Sequence, residues 1–90
     1  MTLKNLTFDK WMNIMEIIVA EPNDTISGIA KKASCTYSHV ASIINMLTEN
    51  KLIMTEHIGR STFINPTADG KIVAKAISTI LYIVEENKNE

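Results

Sequence analysis

Between Phe8 and Ala20 the apolar residues Trp11, Ile14, Met15 and Ile18 fall at i, i+3, i+4 and i+7, and Glu21-Pro22-Asn23-Asp24 closes that stretch as a turn. This is the stripe of an amphipathic helix. Met12, Ile17 and Val19 widen the stripe until little of the helix is polar, which is more apolar surface than one small core consumes and implies a second contact face. Thr25 then offers a capping oxygen ahead of Ile26, Ile29, Ala30 and Ala33, which predicts a two-turn helix over about 26–33. Ser34-Cys35-Thr36 interrupts it, and Thr36 caps a third helix, inward face Val40, Ile43, Ile44 and Leu47, that runs to about Asn50. So short a break forces the two helices to cross steeply and leaves the N-terminal half of the third projecting.

From Leu52 the period changes to two. Leu52-Ile53-Met54-Thr55-Glu56-His57-Ile58 and Ser61-Thr62-Phe63-Ile64-Asn65 flank Gly59-Arg60, and Pro66 closes the second run. The pattern predicts a β-hairpin over about 52–65 with the only arginine of the chain at its tip. Thr67 then caps a long helix to about Glu86, with Val73, Ala76, Ile77, Ile80 and Val84 on one stripe and Ile72, Leu81 and Ile83 broadening it. Such a helix is too apolar to stand exposed. With the wide stripe of the first helix it supplies candidate dimerisation residues: Trp11, Met12, Ile77, Ile80, Leu81 and Val84. Met46 and Met54 are expected to fill gaps in the core. The expected fold is α+β, mainly α: a three-helix core, a hairpin and a long C-terminal helix, in one domain over 1–90.

The run IAKKASCTYSHVASIINMLTENKLI resembles the helix-turn-helix of winged-helix transcriptional regulators. Ala30 stands where that family needs a small residue for close helix approach, Ser34 where glycine is common in the turn, and Leu52-Ile53 where the wing opens. Further on, NPTADGKIVAKAI is similar to the start of the post-wing helix in MarR-like and PadR-like regulators, with Asn65-Pro66 in place of the usual leucine context. The resemblance spans about residues 11–80 and implies a winged helix-turn-helix (about 26–50), a wing (about 52–65) and a C-terminal dimerisation helix (about 67–86). It implies a homodimer that binds double-stranded DNA, a repressor with its recognition helix in the major groove and its wing on the minor groove or backbone.

Composition bounds these expectations. Ninety residues bury about 60–65% of the unfolded chain's surface, so a partner subunit would add needed stability. One cysteine, Cys35, precludes an internal disulfide, and the N-terminus lacks the apolar region of a signal peptide. No uncharged apolar run approaches the roughly 18–20 residues of a membrane span, so a cytoplasmic protein that engages no membrane is expected. The net charge of −1 is not that of a bulk phosphate binder. Its distribution qualifies this: Gly28–Phe63 holds Lys31, Lys32, Lys51 and Arg60 against Glu49 and Glu56, whereas Glu85, Glu86 and Glu90 outweigh Lys88 at the end.

Capped at Thr36, the third helix leaves Tyr37, Ser38, His39, Ala41, Ser42 and Asn45 outside its core face. Ser38, Ser42 and Asn45 suit base edges or phosphates, His39 suits either, and Ala41 suits a thymine methyl. A merely solvated face usually carries more lysine and glutamate than this one. Arg60, with Ser61 beside it, is placed for the minor groove or a phosphate, and Lys31, Lys32 and Lys51 are weaker candidates for phosphates. Cys35 falls where the family pattern places a buried leucine, so packing rather than redox chemistry is expected of it. His39 and His57 lie 18 positions apart without ligand-spaced partners, so neither metal nor cofactor is expected. No nucleophile–base set, phosphate loop or carboxylate pair marks an enzyme. The alternative to DNA binding is a winged-helix module that docks another protein, for which the near-neutral charge speaks.

Overall fold

The computed structural model describes residues 10–88, so the expected start of the first helix at Phe8 and the last acidic residue, Glu90, lie outside it. Seven elements follow one another: α1 (Lys10–Ala20), β1 (Asp24–Thr25), α2 (Ile26–Ala33), α3 (Tyr37–Glu49), β2 (Ile53–Ile58), β3 (Ser61–Pro66) and α4 (Ala68–Lys88). The strands form one antiparallel sheet in the order β1-β3-β2. This is the winged helix-turn-helix expected from the sequence, and it is mostly helical.

The core is aliphatic. Ile14, Met15 and Ile18 of α1 meet Ile29, Ala30 and Ala33 of α2, and Val40, Ile44 and Leu47 of α3. Ile53, Ile64, Ala74 and Ile77 complete the cluster from the sheet and α4. Each fully buried large side chain contributes about 1.5–3 kcal/mol of transfer free energy. Among the described residues no polar or charged residue is buried, so apolar shape and the helix ends have to set the orientation of the elements.

Those ends are specified by side chains. Thr25 Oγ1 accepts from the Gly28 amide at 3.1 Å, Thr36 Oγ1 from the His39 amide at 3.2 Å, and Thr67 Oγ1 from the Gly70 amide at 3.1 Å, so all three expected caps form. Both helices of the helix-turn-helix end in one motif. After α2 the Cys35 amide donates to Ala30 O and the Ser34 amide to Lys31 O; after α3 the Leu52 amide donates to Leu47 O and the Lys51 amide to Thr48 O. Ser34 (φ 55°) and Lys51 (φ 60°) take the left-handed conformation this motif needs. Cys35 packs half-buried against the core, and its thiol donates to Ala33 O at 3.4 Å.

α4 is latched at its start. Thr67 donates its hydroxyl to Lys51 O at 2.8 Å and its amide to Leu52 O at 3.1 Å. Gly70 then passes so close that a Cβ there would stand 2.0 Å from Leu52 O. This contact sets the rotation of the helix: its inward stripe is Gly70, Ala74, Ile77, Leu81 and Val84, and of the stripe expected from the sequence Ile77 and Val84 face inward and Val73 packs half-buried against the core, whereas Ala76 and Ile80 are exposed. The last buried residue is Ile77, although the 21 residues of α4 span about 31 Å. Its distal half projects, and the molecule is accordingly elongated, 51 × 27 × 21 Å.

Three further expectations are corrected. Met46 (37% exposed) and Met54 (56% exposed) do not fill the core, because Leu47 and Ile53 beside them occupy the inward positions. Pro66 belongs to β3 and pairs with Ile53; as the last residue of the strand it gives up no ladder bond the sheet requires. Asp24-Thr25, expected only as turn and cap, pairs with Ile64 and Phe63.

Gly70→Ala is expected to lower the unfolding free energy by about 1–3 kcal/mol through the clash with Leu52 O. Ser34→Gly is expected to raise it by about 1 kcal/mol by relieving the left-handed residue. Urea denaturation of the two variants beside the wild type measures both.

Candidate nucleic-acid interface

Burial of Val40, Ile44 and Leu47 turns the other side of α3 outward, and Tyr37, Ser38, His39, Ser42 and Asn45 are all exposed on it. Ala41 is half-buried, which leaves its methyl less available than the sequence suggested. The first turn of α3 contains no acidic residue, so its N-terminal partial positive charge is unopposed there. Tyr37, the first helical residue, is 57% exposed.

The wing comes to the same place. β2 and β3 pair through Ile58 and Ser61 across the two-residue turn Gly59-Arg60. Gly59 has φ 61° and Arg60 is not at positive φ, the pattern of a type II′ turn whose twist suits an antiparallel hairpin. Behind the tip His57 Nδ1 and Thr62 Oγ1 lie 2.8 Å apart across the strands. A cleft of about 220 Å³ separates the wing from the helices, lined by Thr25, Ile26 and Ser27, by Tyr37, and by Arg60, Ser61 and Thr62. Three expected contact residues, Tyr37, Arg60 and Ser61, are thus brought together from elements more than twenty positions apart. Ser27 and Thr62 join them and were not anticipated. The only sequence signal for Ser27 was its place in the first turn after the Thr25 cap.

The lysines behave differently. Lys31 and Lys32 occupy the last turn of α2, away from the cleft. Lys31 is exposed and makes no ion pair among the described residues. Lys32 is held by two carboxylates, Asp24 at 2.7 Å and Glu21, so its charge is largely spent within the protein. The Lys32 hydrogen bond holds the Asp24 carboxyl below the usual aspartate range, burial opposes that shift, and the Thr25 amide at 2.7 Å adds to it. Lys32 is pushed up, first by Asp24 and then by Glu21.

The residues expected at a dimer interface divide in two. Ile77 is 5% exposed and belongs to the protomer's own core, so it has no surface left for a partner. Trp11, Met12 and Leu81 are half-buried against that core, Val84 is half-buried, and Ile80 is 37% exposed. Tyr82 and Ile83 on the projecting half of α4 are exposed and were not among the expected interface residues. Among the described residues no group of three or more His, Cys, Asp or Glu side chains is placed to hold a metal, and no helix is long and apolar enough to cross a membrane.

Residues 10–70 match the family model described as a winged helix DNA-binding domain. No curated protein matches the sequence. Among solved structures, AF1382 from Archaeoglobus fulgidus is 30% identical and superposes with a TM-score of 0.83 over 92% of this chain and 96% of its own. MepR, a transcription regulator of the Staphylococcus aureus multidrug efflux pump MepA, is 22% identical with a TM-score of 0.81 over 88% of this chain and 61% of its own. Streptococcus pneumoniae FabT, solved in complex with DNA, is 20% identical with a TM-score of 0.77 over 87% of this chain and 57% of its own. The chain therefore spans about three-fifths of the length of MepR and FabT, and the likeness to them is one of fold.

The Asp24–Lys32 pair has a pH signature. A carboxyl whose folded pKa is lowered stabilises the fold above its ordinary value of 3.8, and that contribution is lost as pH falls from there through the depressed folded value. Thermal melts over this acid window are expected to fall more steeply for the wild type than for Lys32→Ala.

Proposed function

This chain belongs to the winged helix DNA-binding domain family, and from the placement of its recognition helix and wing tip we propose that it is a dimeric transcriptional regulator that reads double-stranded DNA. The observation that carries the proposal is the shared cleft: Tyr37 at the start of α3 and Arg60 and Ser61 at the wing tip line one opening. A duplex that receives α3 in its major groove meets the wing on the adjoining backbone or minor groove without rearrangement of either element. Ser38, His39, Ser42 and Asn45 then face base edges, and Tyr37 and Ser61 the flanking backbone. Lys31 adds a phosphate contact; Lys32 adds little, because Glu21 and Asp24 hold it. FabT, of similar fold, was solved with DNA, and MepR is a transcription regulator; both agree with this assignment.

The net charge of −1 limits the non-specific attraction, so two subunits are needed for useful affinity. The projecting half of α4, with Ile80, Leu81, Tyr82, Ile83 and Val84, is the natural surface for the second copy, with Trp11 and Met12 at its margin. A two-fold dimer sets its recognition helices about 34 Å apart in successive major grooves of a pseudo-palindrome. Bound across a promoter, it represses by occlusion. In this account the whole of 1–90 acts as one winged-helix domain in the cytoplasm and performs no catalysis. One observation favours a protein-docking module instead: Met54 and Ile58 are both more than half exposed along β2.

Fluorescence anisotropy with labelled duplex separates the two. Binding is expected to weaken steeply as salt rises, and Arg60→Glu to weaken it by about tenfold while lowering the salt slope by about 1 or more. Salt-independent absence of binding by the wild type would favour the protein-docking module. Sedimentation at micromolar concentration is expected to show a dimer for the wild type and a monomer for Ile80→Glu. A wild-type monomer would remove the paired half-sites from the account.

A further inference from the structure

The walls of the cleft between wing and helices carry the Arg60 guanidinium and the hydroxyls of Ser27, Tyr37, Ser61 and Thr62, and no carboxylate lines it. Its volume of about 220 Å³ is below the roughly 300–1,000 Å³ of small-molecule pockets, which suits one tetrahedral anion better than a metabolite. Thr62 differs from the other hydroxyls in having a titratable partner. It stands directly opposite His57, with Oγ1 2.8 Å from Nδ1 of the ring. Alternation along the strands puts this pair on the face of the hairpin that carries Ile53 and Ile64 into the core, so the pair lies where that face leaves the core and opens into the cleft.

The chemistry of the pair depends on one proton. A neutral imidazole protonated on Nε2 accepts the hydroxyl hydrogen of Thr62 at Nδ1, and Thr62 then has only lone pairs to turn to the cleft. An imidazolium can only donate: its Nδ1–H takes a lone pair of Thr62 Oγ1, and the hydroxyl hydrogen is released towards the cleft. The exchange consumes one proton from solvent and breaks no other covalent bond. We propose that the cleft seats one phosphate of the DNA backbone and that His57 is its positioning residue, making Thr62 a phosphate donor when the ring is protonated. The inference rests on the DNA-binding reading and adds to it a coupling: binding takes up a proton at His57, so affinity rises as pH falls. Few other charges act on the ring. β3 carries no ionisable side chain, and α3, which packs on β2, brings Tyr37, His39 and Glu49. On the hairpin itself Glu56 alternates to the opposite face and Arg60 sits at the tip, and among the described residues no carboxylate is within ion-pair distance of His57.

Duplex affinity is to be measured by fluorescence anisotropy at fixed salt, at about pH 8 and about pH 5.5, on either side of ordinary imidazole titration. The wild type is expected to bind up to about tenfold tighter at the lower pH, the effect of one pKa unit between free and bound states. His39→Gln and Thr62→Ser are expected to keep that gain, and His57→Gln and Thr62→Val to lose most of it, with circular dichroism confirming equal helix content. If Thr62→Val loses helix, Thr62→Ala replaces it. An equal gain in wild type and His57→Gln overturns the coupling. So does a gain that needs His57 but survives Thr62→Val, which would assign it to the imidazolium charge alone. Inorganic phosphate at matched ionic strength is expected to leave the gain in place; its abolition would assign the cleft to free phosphate instead. A wild type that binds no duplex at either pH removes the DNA-binding reading and this inference with it, whereas binding that ignores pH overturns this inference alone.

Discussion

Two helices and the central strand of this molecule are laid against one helical stripe. Ile14, Met15 and Ile18 of α1 are at most 1% exposed, and α2, α4 and β3 all pack on α1. No polar residue is buried among the described residues, so this floor is held by apolar contact, to which one exposed hydrogen bond, from Ser78 Oγ of α4 to Glu16 Oε2 of α1 at 2.9 Å, is added. Such contact favours burial without strongly favouring one orientation. Orientation comes from the ends of the elements: the three threonine caps, the left-handed residues Ser34 and Lys51, and the close pass of Gly70 over Leu52.

The outward surface follows from that division of labour. Ser34 turns the chain so that α3 packs on α2 and β2, buries Val40, Ile44 and Leu47, and presents a face of small polar side chains. Leu52 lies between two commitments, ending α3 through its amide and receiving α4 through its carbonyl. The wing therefore departs from a braced point, and its tip arrives beside Tyr37. Charge takes a secondary part. Of the basic residues named as phosphate candidates Lys32 is tied to Glu21 and Asp24, whereas Arg60, Lys31 and Lys51 are exposed and make no ion pair among the described residues.

Much of this was legible in the residues, for stated reasons. Threonines ahead of apolar stripes located three helices within a residue or two, and the change of period at Leu52 with Gly59-Arg60 at its centre located the wing. What was not legible depends on contacts between distant segments. Asp24-Thr25 is too short to show a period and becomes a strand only because β3 offers it an edge. α4 is apolar on too many sides for its pattern to reveal which face is buried, and the approach of Gly70 to Leu52 decides it, drawing Ile77 into the core and leaving Ile80 outside. Tyr37, Arg60 and Ser61 were each singled out separately, yet that they share a cleft with Ser27 and Thr62 follows only from the folded hairpin.

The central claim is that α3 and the wing tip form one continuous DNA-binding surface. Its most direct test is a map of backbone amide shifts on titrating the protein with a duplex that it binds. The account predicts shifts concentrated in Tyr37–Asn45 and in Gly59–Thr62, moving together with one binding curve. Shifts confined to α4, or a response of one of the two segments without the other, would contradict it.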